Sequence, residues 1–363
     1  MLLKYYINKN PFYVKFSKKI DQILIKTIEK VKSDKKLLII YDKNISFKIL
    51  SQIKSSLKIS GCKIYYFSMD GSKKNKNIHY LIKIIDFMLV KKFTKASILL
   101  SVGGGVIGDM SALAGNLYFR GLNYFHIPTT MTAIVDSSIG GKTAINHKGF
   151  INAIGSYYHP KYVFIFHEII KLIPDREYIA GMPEIIKCGI LKDQSILKLV
   201  KKNYNKIISR NYKTLMSICL KVLKVKIYYF KDDIHEKYFR LFLNFGHTFA
   251  HAIEISTDSQ KKDYFRHGEA VGLGMLCEIF YSSNKNKKFK ELYSLLKIFK
   301  LPTSIPAKKF SSKLKINIFN NLYKDKKRIS KHPRYIKIKN GINRISELDD
   351  SEKILETIDM IVD

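Results

Sequence analysis

Tryptophan is absent from this 363-residue chain, and the chain has only 4 cysteines. The cysteines show no C-x-x-C spacing, which argues against a zinc ribbon or a disulfide framework and fits a reducing cytoplasm. No apolar run reaches the roughly 18 residues that a transmembrane helix needs. The first residues lack an apolar stretch followed by a small-residue cleavage site, so we do not expect a signal peptide. A cytoplasmic protein is therefore expected.

Acidic residues are also scarce: 30 Asp and Glu stand against 65 Lys and Arg, a net charge of +35. Such an excess can serve binding to nucleic acid or to an anionic membrane. The lysines are spread along the whole chain rather than gathered in one arm. We therefore interpret most of them as solvated faces and expect neither a nucleic-acid nor a membrane partner.

Short apolar segments alternate with helical spacing in the first half of the sequence. This alternation predicts a parallel sheet built from βαβ units. Beyond about residue 169 the apolar period is close to 3.6, which is typical of helices. The predicted fold is α/β, with an N-terminal parallel-sheet dinucleotide-binding domain (1–170) followed by an all-helical C-terminal domain (171–363). The predicted strands are 37–42, 63–67, 96–102, 124–128 and 162–166.

A glycine loop follows the third predicted strand. Gly103, Gly105 and Gly108 match G-x-G-x-x-G before a helix, the arrangement that lets backbone approach a pyrophosphate at a helix N-terminus. The acid that usually follows about 20 residues later is missing. Asp42, at the end of "LLIIYD", and Asn44 could meet the ribose instead, because parallel strands share one carboxyl edge. Asp42 could equally cap the next helix.

The stretch "IPTTMTAIVDSSIGGKTAINHKGFINAIGSYYHP" is the most polar part of the sequence. Its side chains alternate with small residues and with the pair Gly140–Gly141, which lets backbone approach a ligand. Buried polar groups need partners, so a polar ligand is favoured over a structural turn. The candidate residues are Thr129, Thr130, Asp136, Ser137, Ser138, Lys142, Asn146 and Asn152.

One carboxylate and several imidazoles occur in the second half. Glu184 and Lys187 stand at i and i+3 among apolar residues, and His267 stands at a predicted helix start. His247 and His251, at i and i+4, share a helix face and could also be ordinary packed residues. One carboxylate with two imidazoles is a ligand set of catalytic Zn²⁺. Spacing alone does not choose between His247 and His251.

Arg240 precedes Asn244 by four residues and His247 by seven. On a continuous helix these three would share roughly one face. Such a face suits a substrate that carries carboxylate or phosphate.

Taken together, the motifs resemble the 3-dehydroquinate synthase family. The matching strings, in order, are "GGGVIGDMSALAG", "YFRG", "IPTT", "VDSSIGGKTAIN", "PEIIKCGIL", "LNFGHTFAHAIE", "HGEAV" and "DKK", within about residues 42 to 327. The resemblance implies a cytoplasmic, usually homodimeric lyase of the shikimate pathway. It would convert 3-deoxy-D-arabino-heptulosonate 7-phosphate to 3-dehydroquinate and phosphate, with NAD⁺ and Zn²⁺ or Co²⁺. The alternative is a related metal- and NAD-dependent polyol or glycerol-phosphate dehydrogenase.

The resemblance also implies residue roles. Glu184, His247 and His267 match metal ligands, and His251 matches a substrate-side histidine. The positions that match cofactor contacts are Asp42, Asn44, Lys76, Gly105, Val106, Ile107, Gly108, Asp109, Thr129, Thr130 and Lys142. The positions that match the substrate pocket are Arg120, Asp136, Lys142, Asn152, Lys187, Lys226, Arg240, Asn244 and Lys326, with Lys327 as the alternative to Lys326.

Three positions depart from the family pattern. Ser72 stands where a glutamate is expected in the ribose loop, with Lys76 as the lysine that follows it. Ile151 stands where a lysine is expected, and Leu172 where a threonine is expected. Because the metal set is intact, we expect a working enzyme with weakened NAD⁺ binding.

Overall fold

The computed structural model describes residues 1–20, 22–261, 264–311, 313–323, 332–339 and 342–362. The chain forms two compact units: Met1–Tyr178 with Asn205–Ile227, and Ile179–Tyr204 with Tyr228–Asp363. The boundary predicted after residue 170 stays a prediction. Within the part of the chain that the structure describes, no helix combines the length and apolar character needed to cross a membrane.

The first unit is built on a seven-stranded sheet with the order β1-β2-β9-β6-β5-β3-β4. Only the edge pair β1–β2 is antiparallel; β2–β9, β9–β6, β6–β5, β5–β3 and β3–β4 are parallel. All five predicted strands are present, as β3, β4, β5, β6 and β9, and the fold class is confirmed. The strands are β1 Leu2–Ile7, β2 Asn10–Ser17, β3 Lys36–Asp42, β4 Lys63–Met69, β5 Ile98–Gly103, β6 Asn123–Pro128 and β9 Tyr162–Phe166.

Helices cover both faces of this sheet, which explains the unbroken apolar run of β3. Leu37 and Ile39 belong to one buried cluster, and Leu38 and Ile40 belong to another. Successive side chains of a strand point to opposite faces, so each face of β3 has its own core. The helices of the first unit begin with α1 Gln22–Lys30, α2 Phe47–Lys58, α3 Ile78–Val90, α4 Gly105–Leu117 and α5 His167–Leu172.

The polar stretch after β6 is more regular than the sequence indicated. It contains a short π-helix, Ala133–Ser137, and an antiparallel hairpin, β7 Lys142–His147 with β8 Phe150–Tyr157. Much of β8 is exposed. The β7–β8 hairpin lacks a deeply buried apolar face. Apolar and polar residues therefore alternate too weakly along its strands for the sequence to predict them.

The second unit is mainly helical, as predicted, with one addition. Strands β10 Arg334–Lys339 and β11 Ile342–Glu347 form an antiparallel hairpin, so this half is not all-helical. The remaining helices of the chain are α6 Asp175–Ile179, α7 Met182–Leu191, α8 Ser195–Lys202, α9 Tyr204–Ile208, α10 Tyr212–Phe230, α11 His247–Asp258, α12 His267–Ser283, α13 Lys287–Ile298, α14 Leu314–Leu322 and α15 Ser351–Ile361.

A glycine contact sets the approach of α11 to α12. A Cβ added to Gly274 would lie 1.9 Å from the Gly246 carbonyl oxygen and 2.9 Å from the Ala250 nitrogen. Gly246 itself has φ 83°, a left-handed conformation that favours glycine. The two helices that carry His247 and His267 can therefore lie close together only with glycine at both positions.

Candidate active site

Three ligand-type side chains converge in the second unit. Glu184 from α7, His247 from the first position of α11 and His267 from the first position of α12 place one ligand atom each within 4.8 Å of one another. The Glu184 Oε1 atom lies 3.7 Å from His247 Nε2 and 4.0 Å from His267 Nε2. Ligands bound at about 2 Å to one tetrahedral ion are separated by somewhat over 3 Å, so the set fits a divalent cation.

Hydrogen-bond acceptors orient both imidazoles. The Nδ1 atom of His247 lies 3.3 Å from the Phe245 carbonyl oxygen, and that of His267 lies 3.3 Å from Glu254 Oε2. An Nδ1–H group held by an acceptor leaves Nε2 as the lone-pair donor, the usual arrangement around metal-ligating histidines. Both Nε2 atoms are the ones that face Glu184.

The electrostatics of this set also suit a cation. Glu184 is 1% exposed, and neither of its carboxylate oxygens accepts a hydrogen bond of good geometry from the residues that the structure describes. The Lys187 ammonium, on the same helix face, lies 2.5 Å from Glu184 Oε2. Burial, then Lys187, His267 and His251, lower the pKa of His247 well below its usual range. A neutral imidazole is the form that binds a metal.

His251 lies beside these ligands. Its ring centroid is 5.7 Å from that of His247 and 6.2 Å from that of His267. It lines a pocket with Asn244 and His247. The hairpin strand β10 forms the opposite wall of this pocket through Arg334, Tyr335 and Ile336. The expected substrate residues His251 and Asn244 therefore share one pocket.

The expectation of one helix face for Arg240, Asn244 and His247 is wrong. Residues Phe239–Asn244 form a 3-10 helix, and α11 starts only after the left-handed Gly246. The 3-10 turn has three residues per turn, so the assumed i+4 and i+7 spacing does not apply. Arg240 is buried and its Nη1 donates to the Ile234 carbonyl oxygen at 2.8 Å.

In the first unit, residues expected in two separate roles meet. The Lys76 ammonium, expected at the cofactor, lies 2.5 Å from Asp109 Oδ2 and 2.5 Å from Asn152 Oδ1, which was expected at the substrate. Burial raises the pKa of Asp109, and the Lys76 charge opposes that rise. Asn152 has φ 52°, so an unusual backbone conformation presents its amide to Lys76.

A second ion pair lies in the same neighbourhood. The Lys226 ammonium lies 2.6 Å from Asp136 Oδ1 and also donates to the Asp136 backbone carbonyl. Asp136 raises the pKa of Asp109 and Lys142 lowers it, so both charges act on Asp109. Lys226 is buried, whereas Lys142 is exposed.

The glycine loop has the form expected of an anion site. Helix α4 begins at Gly105, and the Gly108 N–H bonds the Gly104 carbonyl, which leaves the first-turn N–H groups directed out of the helix. Thr129 donates its N–H to the Gly103 carbonyl at 3.0 Å. The Thr130 hydroxyl accepts the Ala133 N–H at 3.2 Å. Val106 and Ile107 complete this first turn.

Asp42 is placed at the carboxyl edge of the sheet, as expected. Its Oδ1 accepts the backbone N–H of Asn44 at 3.0 Å and that of Gly71 at 3.4 Å, so it ties the ends of β3 and β4 together. Helix α2 starts with Ser46 as its N-cap, so Asp42 caps the turn rather than the helix.

One expected residue is not gathered with the others, and one cannot be placed. Arg120 is exposed in the turn after α4 with φ 62°, and within the described residues no polar contact joins it to Asp109 or Asp136. Lys326 lies outside the described residues, as does Lys327. The departures Ile151 and Leu172 are 42% and 40% exposed.

Sequence reasoning gave no role to Glu254, which the structure places behind His267. Glu254 is 4% exposed and lies on α11 two turns after His247. Its seven-residue spacing from His247 was the available signal, because that spacing returns to the same helix face.

Comparison with known proteins defines the family. The family description "3-dehydroquinate synthase N-terminal" matches residues 66–180, and "3-dehydroquinate synthase C-terminal" matches residues 181–328. The chain belongs to the 3-dehydroquinate synthase family. A curated relative, 3-dehydroquinate synthase of Prochlorococcus marinus (strain MIT 9515), is 33% identical over 361 residues that span 95% of this chain and 97% of the relative.

Solved structures share the fold of this member of the 3-dehydroquinate synthase family. A 2-deoxy-scyllo-inosose synthase, solved with carbaglucose-6-phosphate, NAD⁺ and Co²⁺, has a TM-score of 0.87 at 22% identity and covers 99% of both chains. Glycerol dehydrogenase from Schizosaccharomyces pombe has a TM-score of 0.66 at 14% identity, covering 96% of this chain and 88% of that one. At these identities the likeness concerns the fold alone.

Proposed function

We propose that this chain is a lyase that converts 3-deoxy-D-arabino-heptulosonate 7-phosphate to 3-dehydroquinate and phosphate in aromatic amino acid biosynthesis. The observation that carries the proposal is the convergence of Glu184, His247 and His267 in a chain whose full-length relatives are 3-dehydroquinate synthases. We further propose a cytoplasmic homodimer with the cofactor bound by residues 1–170 and the metal bound by residues 171–363.

The metal ligands are Glu184, His247 and His267, and the ion is Zn²⁺ or Co²⁺. Bound by these residues, the ion would polarise a carbon–oxygen bond of the substrate, and NAD⁺ would supply reversible hydride transfer. Glu184 supplies the negative charge and the two neutral imidazoles complete an open three-ligand set. The Phe245 carbonyl and the Glu254 carboxylate hold the imidazoles in the ligating orientation.

The cofactor contacts are backbone groups for the most part. The first turn of α4, from Gly105 to Asp109, receives the pyrophosphate, because orphan N–H groups at a helix N-terminus bind anions. Asp42 and Asn44 face the adenosine ribose at the end of β3. Thr129, Thr130, Lys76 and Lys142 complete the cofactor contacts.

The substrate carries a phosphate and a carboxylate, and the chain offers cations and amides to match. Lys142, Lys187, Lys226 and Arg240 bind these anions. His251, which lines the pocket beside His247, moves protons to and from the substrate together with the substrate's own phosphate. Arg120, Asp136, Asn152, Asn244 and Lys326 position the substrate.

Phosphate release from the heptulosonate phosphate, measured with added Zn²⁺ and NAD⁺, tests the proposal. The cyclase releases phosphate without net NADH, because the hydride is returned to the substrate. A polyol or glycerol-phosphate dehydrogenase, the alternative given by the sequence motifs, accumulates NADH and releases no phosphate. The matched control is His247→Ala, which retains the cations of the pocket and loses one metal ligand.

A further inference from the structure

Glu278 is a buried carboxylate that no step of the proposed reaction uses. It lies on α12, eleven residues after His267, and is 0% exposed. A charged group at such a depth is costly to bury unless polar partners compensate it. Its surroundings therefore have to account for it.

The partners of Glu278 come from two other elements of the second unit. Its Oε2 accepts the backbone N–H of Ile336 on β10 at 3.0 Å. Burial raises the pKa of Glu278 to about 8, and the neighbouring backbone N–H groups of Gly246 and Thr248, on either side of His247, oppose that rise. The Glu278 side chain thus bonds α12 to strand β10, beside the start of α11.

A second polar contact lies across the same junction. The Thr248 hydroxyl donates to the Arg334 carbonyl oxygen at 2.6 Å. These two bonds therefore hold α12 and the first turn of α11 against β10, a strand that lines the pocket around His247 and His251.

We infer that Glu278 is a positioning residue: by holding β10 against α12 it fixes the strand to which Thr248 bonds, and so sets the direction in which His247 faces Glu184 and His251 faces the pocket. It touches neither substrate nor metal. The inference deepens the proposed function and depends on the proposed metal site. Partners that orient metal ligands typically change metal affinity by about 10- to 100-fold when they are removed.

Glu278→Met is the main test, because it keeps a side chain of similar length and removes both oxygens, including the one that accepts the Ile336 N–H. Thr357→Val is the matched control: Thr357 is equally buried in the second unit, and its hydroxyl bonds only the Lys353 carbonyl one turn earlier. The measurements are the thermal midpoint, the affinity for Co²⁺ by chelator competition, and the visible absorption spectrum of bound Co²⁺.

We expect Glu278→Met to lower Co²⁺ affinity about 10- to 100-fold and to alter the cobalt spectrum. Thr357→Val should lower the thermal midpoint and leave both metal readouts unchanged. If Glu278→Met also changes only the midpoint, Glu278 is merely structural and the inference is overturned. Wild-type protein that binds no Co²⁺ would instead overturn the proposed function.

Thr248→Val keeps the test decisive if Glu278→Met does not fold. It removes the second tie only, so we expect a smaller loss of Co²⁺ affinity in the same direction. In a folded double variant the two losses should be non-additive, because both act on one turn of α11. Unchanged Co²⁺ affinity in Thr248→Val, with a lowered thermal midpoint, would contradict the inference.

Discussion

The glycine loop of the first unit and the metal set of the second unit differ in how they are built. The loop presents backbone N–H groups at the start of α4, and that start is in place beside the departures Ser72 and Ile151. The metal set consists of three side chains, Glu184, His247 and His267, which converge from three helices. We therefore expect the loop to tolerate side-chain changes that the metal set does not tolerate.

The largest effect should come from the metal set. We expect His247→Ala to lose bound metal and to slow phosphate release about 1,000-fold or more, because the ion supplies several kcal/mol of transition-state stabilisation. His251→Ala should retain metal and still slow turnover about 100-fold, as expected for a lost proton-transfer group. Metal content and phosphate release, measured together, separate the two. Metal retained at full stoichiometry in His247→Ala would contradict the ligand assignment.

The helix contact behind the metal set should be nearly as sensitive. Gly274→Ala places a Cβ 1.9 Å from the Gly246 carbonyl oxygen, so α11 and α12 must separate. We expect the free energy of unfolding to fall by about 3 kcal/mol. Gly272→Ala is the control on the same helix: its Cβ would meet the flexible Leu296 side chain at 3.2 Å and Pro183 Cγ at an ordinary contact distance of 3.6 Å. Urea unfolding of both variants measures the difference. Equal free energies of unfolding for Gly274→Ala and Gly272→Ala would contradict this explanation.

The first unit should lose folding stability at low pH because of a histidine beside its glycine loop. His126 lies under Gly108 and bonds the Ser101 hydroxyl at 2.6 Å, and burial lowers the pKa of His126 to about 4. Since the unfolded imidazole takes up a proton near pH 6.5 and the folded one only near pH 4, stability is lost as pH falls between these values.

We expect this loss to be about 3 kcal/mol and to be absent in His126→Gln. Urea unfolding at pH 7 and at pH 4.5 gives the slope of the free energy of unfolding against pH for each protein. The loss is the difference between the two slopes. His147→Gln, at an exposed histidine of the same unit, should keep the slope of the wild type. A wild-type slope in His126→Gln would mean that other groups cause the acid sensitivity.

The smallest effect should come from restoring the missing lysine. Ile151→Lys adds a cation next to Asn152, and an exposed charge pair contributes about 1 kcal/mol at most. We therefore expect NAD⁺ to bind up to about fivefold more tightly, measured by calorimetry at low salt. Ile154→Lys, at a residue of similar exposure on the same strand, should leave the affinity unchanged. Equal gains in both variants would point to net charge rather than to the site.

Sequence reasoning succeeded where the structure depends on local interactions and failed where it depends on residues distant in sequence. The strands around Leu38 and Leu99 were predictable because a strand buried on both faces must be continuously apolar. The start of α12 at His267 was predictable from local signals. The break at Gly246 was missed, because a left-handed residue there is required by the close approach of α12, a partner distant in sequence. The hairpin β10–β11 was missed for the same reason.

The sequence by itself determined the parallel sheet, the helices on both of its faces, the glycine loop and the kinds of ligand available for a metal. Only the tertiary structure decided which histidine faces Glu184, because that depends on the Phe245 carbonyl and the Glu254 carboxylate holding two Nδ1 atoms. It also decided that Lys76 pairs with Asp109 and Asn152. Apolar periodicity is a local property of the chain, whereas the partner of a polar atom is set by whichever distant segment folding brings within about 3 Å.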